Sequence, residues 1–390
     1  MVPILLDYET LRCIWWVALG ILLIGFAIMD GFDMGVAFLN PLIGNTDIER
    51  RIILNTIKPV WEGNQVWLIL AAGSVFAAFP TIYATAFSSF YIAMLLLLLS
   101  LIVRPVSLEF RDKFDISKRK YWDYALFTSG LVPPLIFGVV FGNLFQGVPF
   151  FFDEMHVPHY VSNEGISGYF GGFFLLLNPF GLFCGLISLA MLTTHGAIYL
   201  AVKTQGIIRV KATKVIYIGL AIWFILFAVG YLWVEKIEGF VVTHNLDSNA
   251  PSNPLVKEVV RSIGVWNKNY LNYPILYTIP LLAFINCFIT AALIFFGYRA
   301  TAFISSSLMI AGTIVTAGIA LFPFMLTSSH TPSHSLILWD STSSHLTLWL
   351  MALATVLFMP LIIIYTSWVY RVLRRPLTEE LVEETIDSLY

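Results

Sequence analysis

Apolar runs long enough to cross about 30 Å of hydrocarbon recur along the whole chain, and they govern what it can fold into. Such a run must satisfy its backbone polar groups internally, so it folds as a membrane helix. Nine spans are expected, at about 12–38, 62–80, 81–105, 122–147, 171–202, 214–234, 273–297, 301–323 and 346–370. Pro80 separates the second from the third, and Gly297 to Ala300 the seventh from the eighth. Only 12% of residues are charged, against about 25% in soluble domains. With a mean hydropathy of +0.82, that excludes an ordinary soluble enzyme. A net charge of −2 offers no basic field for nucleic acid. The expected fold is an all-α polytopic membrane protein, residues 1–390 forming one integral membrane domain.

Orientation follows from the basic residues. With the N-terminus outside, the inner segments hold 17 of the 22 lysines and arginines, from Arg50 and Arg51 to Arg371, Arg374 and Arg375. Positive residues mark the cytoplasmic side, so the chain reads N-out, C-in. Asp7, Glu9 and Arg12 precede the first span in place of a basic n-region, so that span reads as a retained helix and not a signal peptide. In the longest outer loop, 235–272, the stretch SNPLVKEVVRSIGVW reads as an amphipathic helix. Asn253 suits its N-cap and Pro254 its first position, with Leu255, Val256, Val259, Val260, Ile263 and Trp266 on one face. Pro133-Pro134 and Asn178-Pro179 read as helix bends. Gly73/Ala77 and Ser74/Ala78 suit close helix contact, within this chain or against another. Cys13, Cys184 and Cys287 are isolated in apolar contexts and read as packing residues.

Six of the seven histidines fall in outer loops or at a span's outer edge, and His195 reads as a buried, hydrogen-bonded side chain. His330 and His334 are spaced i, i+4, but Pro332 between them argues for a loop. Histidine ligation of a redox centre therefore has little support here.

The carboxylates are more telling. FAIMDGFDMGVAF places Asp30 and Asp33 in the first span, about 60° apart and about 4.5 Å along one helix face. A charged Asp mid-span costs about 2.5–3.5 kcal/mol on insertion scales. In the N-out orientation they lie toward the cytoplasmic end, either among headgroups or in a proton-accessible polar cluster. Glu62, Asn64 and Gln65 open the second span on that side, flanked by Trp61 and Trp67, and Arg104 ends the third. Four ionisable groups thus share one depth: Asp30, Asp33, Glu62 and Arg104. Any of the acids could pair with Arg104. A proton relay, a polar headgroup site and a structural ion pair all fit.

These stretches, together with DYETLRCIWW, ERRIILNTIKPVWEGNQVWLI, RPVSLEFR, VPPLIFGVVFGNLFQGVPF and LWDSTSSHLTL, resemble subunit II of the cytochrome bd quinol oxidases. The resemblance runs from residue 7 to the last span. It implies two four-helix bundles plus one peripheral helix in a bacterial cytoplasmic membrane. It implies pairing with a larger subunit I that carries the three haems, of b and d type, and the quinol-oxidising loop. A small single-span subunit, bound quinone and membrane lipid are further partners it suggests. The complex would oxidise quinol, reduce dioxygen to water and generate proton motive force without pumping. By position, Glu62 matches a carboxylate at the cytoplasmic mouth of a proton path, where better-known members carry Asp. Asp30 and Asp33 match the family's paired aspartates, Trp61 and Arg104 positions near a structural quinone, and Trp67 the entrance of an oxygen path. Two other classes stay open from the residues alone: a proton-coupled secondary transporter using Asp30, Asp33 and Glu62, and a structural partner in which these acids are silent.

Overall fold

The computed structural model describes residues 4–161, 169–244 and 246–372. Arg374 and Arg375, counted above among the inner basic residues, lie outside them. Helix α1 (Tyr8–Ile43) is capped by Asp7, whose carboxylate accepts the Thr10 N–H at 3.1 Å. Its 36 residues extend about 54 Å, well beyond the hydrocarbon core. A short helix α2 (Asp47–Asn55) turns the chain into α3 (Trp61–Ala78).

The expected span 81–105 is two helices, α4 (Pro80–Ser89) and α5 (Tyr91–Phe110), broken at Phe90. Pro80 forbids helical backbone at Phe79 and starts α4 afresh. In α6 (Ile116–Gln146), by contrast, Pro133 and Pro134 stay inside one helix. A hairpin, β1 (Phe150–Phe152) with β2 (Pro158–Tyr160), follows in the loop expected on the outer side. The expected span 171–202 also divides, into α7 (Tyr169–Leu176) and α8 (Pro179–Lys203). Asn178 is not a bend within a helix but the cap of a new one, accepting the Gly181 N–H at 2.6 Å.

After α9 (Gly206–Val234) the outer loop departs from expectation. The proposed amphipathic helix is replaced by strand β4 (Val259–Ile263), paired antiparallel with β3 (Glu238–Val242). β-Branched residues at 259 and 260 suit either fold locally, and the inter-strand ladder decides. Lys257, assigned to the helix's polar face, is instead buried with its ammonium 2.5 Å from Asp340. The chain continues through α10 (Lys268–Asn272), α11 (Thr278–Phe295) and α12 (Arg299–Leu321), a second hairpin of β5 (Phe324–Leu326) and β6 (Leu336–Ile337), and α13 (His345–Val372).

Eight helical segments among the described residues are long and apolar enough to cross a membrane. The second expected span, α3, falls outside that set because Glu62, Asn64 and Gln65 open it. Helix α1 is the hub, packing on α3, α6, α8 and α12. Its approach to α8 is close enough to require glycine: a Cβ on Gly35 would fall on the Leu192 carbonyl and 3.0 Å from Gly196 Cα. Gly73, in contrast, has open space around it, so the Gly73/Ala77 pair makes no close contact within the chain.

The three outer loops fold into one cap over the helices. Arg12, wholly buried, reaches from α1 to the Ser248 and Ala250 carbonyls and to Thr342 Oγ1. Lys257 also donates to the Pro254 carbonyl (2.8 Å), and Asp340 accepts the Ile337 N–H (2.9 Å). Burial pushes Asp340 above its ordinary carboxylate range and Lys257 below its ordinary ammonium range, each opposed by the other's charge. Breaking such a buried pair costs about 3–5 kcal/mol. Lys257→Met should lower the thermal stability of the detergent-solubilised protein by about that much at neutral pH. Asp340, left without its cation, then titrates higher in the folded than in the unfolded state. The variant's stability should therefore be recovered as pH falls and lost as it rises through that folded value, measured by melting at both ends of the range. For packing, Gly35→Ala should cost about 1–3 kcal/mol by the same measurement.

Candidate functional site

The two aspartates of α1 face inward, not toward headgroups: both are wholly buried. Three residues apart, they reach different helices. Asp30 pairs with Arg104 of α5, its Oδ1 and Oδ2 accepting from Nη1 and Nη2 at 2.5 and 3.4 Å. Arg104 is equally buried, and its position just before Pro105 lies on the inward stripe with Leu97, Leu101 and Leu108. Asp33 Oδ2 accepts from the Asn64 amide of α3 at 2.8 Å. Asn64 Oδ1 in turn accepts from the Tyr370 hydroxyl of α13 at 2.5 Å. Arg104 thus balances one aspartate, while the other is held by a neutral amide. Asp33 Oδ1, Arg104 Nε and Ser107 Oγ are buried with no hydrogen-bond partner among the described residues.

The remaining walls are aromatic. Phe32, between the aspartates, stacks on Tyr199 of α8 at 4.0 Å, and the Tyr199 hydroxyl donates to the Thr56 carbonyl (2.9 Å). His195 braces α8 to α1 and α12. Its Nε2 donates to the Ile28 carbonyl at 3.1 Å, which leaves Nδ1 to accept from Ser306 Oγ at 2.8 Å. Both ring nitrogens are engaged, as the sequence suggested for this side chain. Among the described residues no group of three histidines, cysteines or carboxylates could hold a metal ion.

Glu62 stands apart from this pocket. It lies two residues before Asn64, about 200° around the helix, and is exposed on the surface of the chain. The fold brings Asp30 to Arg104 and Asp33 to Asn64, but sets Glu62 on the outward side of the same turn. Trp61 and Trp67 are half-buried against the core. The Trp67 ring lies over Gly25 of α1, filling the space a side chain there would occupy.

Toward the end of the bundle that holds α2 the pocket is bounded by ion pairs. Asp123 of α6 accepts from Arg111 Nε (2.7 Å), Arg50 (2.7 Å) and Asn40 (3.1 Å). Arg111 also reaches Asp47 (2.9 Å), and Lys58 pairs with Asp112 (3.2 Å). On α2, burial disfavours the Glu49 carboxylate, yet Lys211 at 2.8 Å and the Asn45 N–H at 2.7 Å hold it below its ordinary range. Several of the basic residues that set the orientation are therefore committed to closing α1, α2, α5 and α6 against one another.

Chemically, the pocket offers a buried carboxyl group with one oxygen anchored and one open. Such a group can take up and release a proton, since no cation is paired with it among the described residues. Sequence reasoning found Asp30, Asp33, Asn64 and Arg104. It missed Tyr370 and Tyr199, which no local pattern distinguishes from other interfacial or core tyrosines. Arg104→Met should destabilise the solubilised protein by about 3–5 kcal/mol, since Asp30 then stays buried without its cation. The double change Asp30→Leu with Arg104→Met should recover most of that loss, read from thermal melts of both variants and the wild type.

Comparison with known proteins identifies the family of the chain. The family model for cytochrome bd terminal oxidase subunit II matches residues 11–373. The chain is 46% identical to the probable cytochrome oxidase subunit 2 of Haemophilus influenzae over 387 residues, 99% of this chain and 100% of that one. It is 46% identical over 388 residues to the cytochrome bd-I ubiquinol oxidase subunit 2 of Escherichia coli K12, with the same coverage. Identity to the cytochrome bd ubiquinol oxidase subunit 2 of Bacillus subtilis is 30% over 371 residues, 94% of this chain and 96% of that one. A chain of the bd oxidase from Geobacillus thermodenitrificans shares the fold, with a TM-score of 0.65 at 19% identity over 93% of this chain and 98% of that one. A family match across nearly the whole length, with full-length relatives close to half identical, makes this chain a member of the cytochrome bd terminal oxidase subunit II family.

Proposed function

We propose that this subunit works beside a haem-bearing subunit I in a bacterial cytoplasmic membrane, in a complex that oxidises quinol and reduces dioxygen to water. The family assignment favours this over a proton-coupled transporter. The haems, of b and d type, belong to the partner in this reading. They supply the electron transfer and oxygen chemistry, while this chain contributes scaffold and protons. Nine spans, N-terminus outside and C-terminus inside, would form two four-helix bundles plus a peripheral helix. A small single-span subunit and membrane lipid complete the assembly.

The observation that carries the proton role is the Asp33–Asn64 contact, with Glu62 on the same turn of α3. That turn joins an outward-facing carboxylate to a buried one within a few residues. Glu62 would collect protons at the cytoplasmic mouth, and Asp30 and Asp33 would hold them within the membrane. Because protons for water come from the cytoplasm and quinol protons leave outside, the reaction separates charge without a pump.

Arg104 Nε, buried and without an acceptor among the described residues, is a donor that suits a quinone carbonyl. This supports a structural quinone near Trp61 and Arg104. An apolar cavity of about 200 Å³ is lined by Leu68, Phe26, Ala27, Phe137 and Met191, and Leu68 follows Trp67 in α3. It supports an oxygen path entering at Trp67, since a small apolar gas partitions into such space.

Glu62→Gln should slow oxygen consumption by the assembled complex by about tenfold or more while leaving reduced-minus-oxidised haem spectra intact. Full turnover in that variant would remove Glu62 from the path. Purification in mild detergent should bring down a second membrane subunit with haem bands; a colourless lone chain would contradict the whole reading.

A further inference from the structure

Helix α13 is the least embedded of the spans, with only 11% of its apolar window buried. At its outer end it is tied by Trp15 Nε1, which donates to the Leu348 carbonyl (3.0 Å), and by His345, which donates to the Leu6 carbonyl (2.7 Å). At its inner end the tie is Tyr370, half-buried, whose hydroxyl meets Asn64. The inner seating of the helix therefore leans on one hydrogen bond to a side chain that also holds Asp33.

An amide has an oxygen end and a nitrogen end, and this fixes what each neighbour must do. With Asp33 ionised, the carboxylate takes the amide N–H and Tyr370 gives its O–H to the amide oxygen, as observed. A proton on Asp33 makes one of its oxygens a donor. The matching arrangement then has the amide turned over, its oxygen toward Asp33 and its N–H toward the Tyr370 oxygen. Tyr370 must now accept where it donated, and its own proton must find a new acceptor. The same three side chains thus have two self-consistent states that differ by one proton, and the difference is felt on α13.

The other groups around Asp33 do not absorb that change. Asp30, on the same helix, and Arg104, from α5, are committed to each other. Tyr199, from α8, gives its hydroxyl to the Thr56 carbonyl. Asp123, on α6, is engaged by Arg50, Arg111 and Asn40 two turns beyond. Asp33 Oδ1 is buried with no partner among the described residues, so a proton there would be a donor without an acceptor, whereas on Oδ2 it meets the oxygen of the turned amide.

We propose that Asn64 and Tyr370 are positioning residues that couple the proton on Asp33 to the seating of α13 against α1 and α3. The coupling is reciprocal: whatever loosens Tyr370 changes the proton affinity of Asp33, and the proton on Asp33 changes the hold on α13. The proposal rests on the reading of Asp33 as a proton-carrying group and is tested without measuring turnover. Backbone hydrogen exchange over residues 364–372 is followed in the purified complex between about pH 5.5 and 9, corrected for intrinsic exchange. The wild type should show one protonation step in protection, of about threefold to tenfold. Tyr370→Phe, which removes a single hydroxyl, should abolish the step with haem spectra unchanged, and so should Asn64→Leu and Asp33→Asn. A wild type with no step, or a step that survives in Tyr370→Phe or Asp33→Asn, overturns the coupling. Oxygen consumption measured on the same samples separates the two ideas. A step lost in both Tyr370→Phe and Asp33→Asn, with normal turnover in Asp33→Asn, keeps the coupling and withdraws Asp33 from the proton path.

Discussion

A carboxylate in the apolar interior of a helix bundle must find a counter-charge or a strong donor, because the uncompensated ion costs several kcal/mol. Helix α1 carries two, one turn apart, and the arrangement of its neighbours follows from that demand. Asp30 draws the Arg104 guanidinium of α5 into a fully buried pair. Asp33 draws the polar first turn of α3 inward through Asn64, and through it the end of α13. Glycines make the geometry possible. Gly35 lets α8 lie directly on α1, so the pocket is closed on that side by backbone and by the stacked rings of Phe32 and Tyr199.

Charge is handled differently at the two ends of the bundle. At the end that holds α2, arginines and lysines form a connected set with Asp47, Asp112 and Asp123, which ties the ends of α1, α2, α5 and α6 together. On the outer side the cap hangs on two buried cations, Arg12 and Lys257, each satisfied by groups from loops far away in sequence. The pocket between them has three buried polar atoms without hydrogen-bond partners among the described residues.

Much of this was legible in the sequence, and the pattern of what was not is instructive. The apolar runs identified the spans because hydrocarbon admits few backbone structures. The break at Pro80 was visible, but the second break at Phe90 was not, since no proline or glycine marks it. Asn178-Pro179 was read as a bend, although Asn before Pro is also a strong cap signal, and the structure uses it so. The stretch 254–266 has a helical apolar period, yet it lies beside β3, and ladder hydrogen bonds override a local pattern of that length. Lys257 looked solvated because a lysine in a loop usually is; only Asp340, more than eighty residues on, makes its burial tolerable.

The sequence by itself determined the class of the molecule, its spans and the presence of an acidic cluster with one arginine at a common depth. Hydrophobic length and the cost of a buried charge are properties of the residues, and they hold in any fold this chain adopts. Which acid takes the arginine, which takes the amide, and which is left facing outward was decided only by the tertiary structure. A rotation of about 100° per residue separates an inward Asn64 from an outward Glu62, and the packing of α3 on α1 selects between them. Tyr370 reaches Asn64 across 306 positions, a contact that no local spacing encodes because it exists only when α13 closes on the hub.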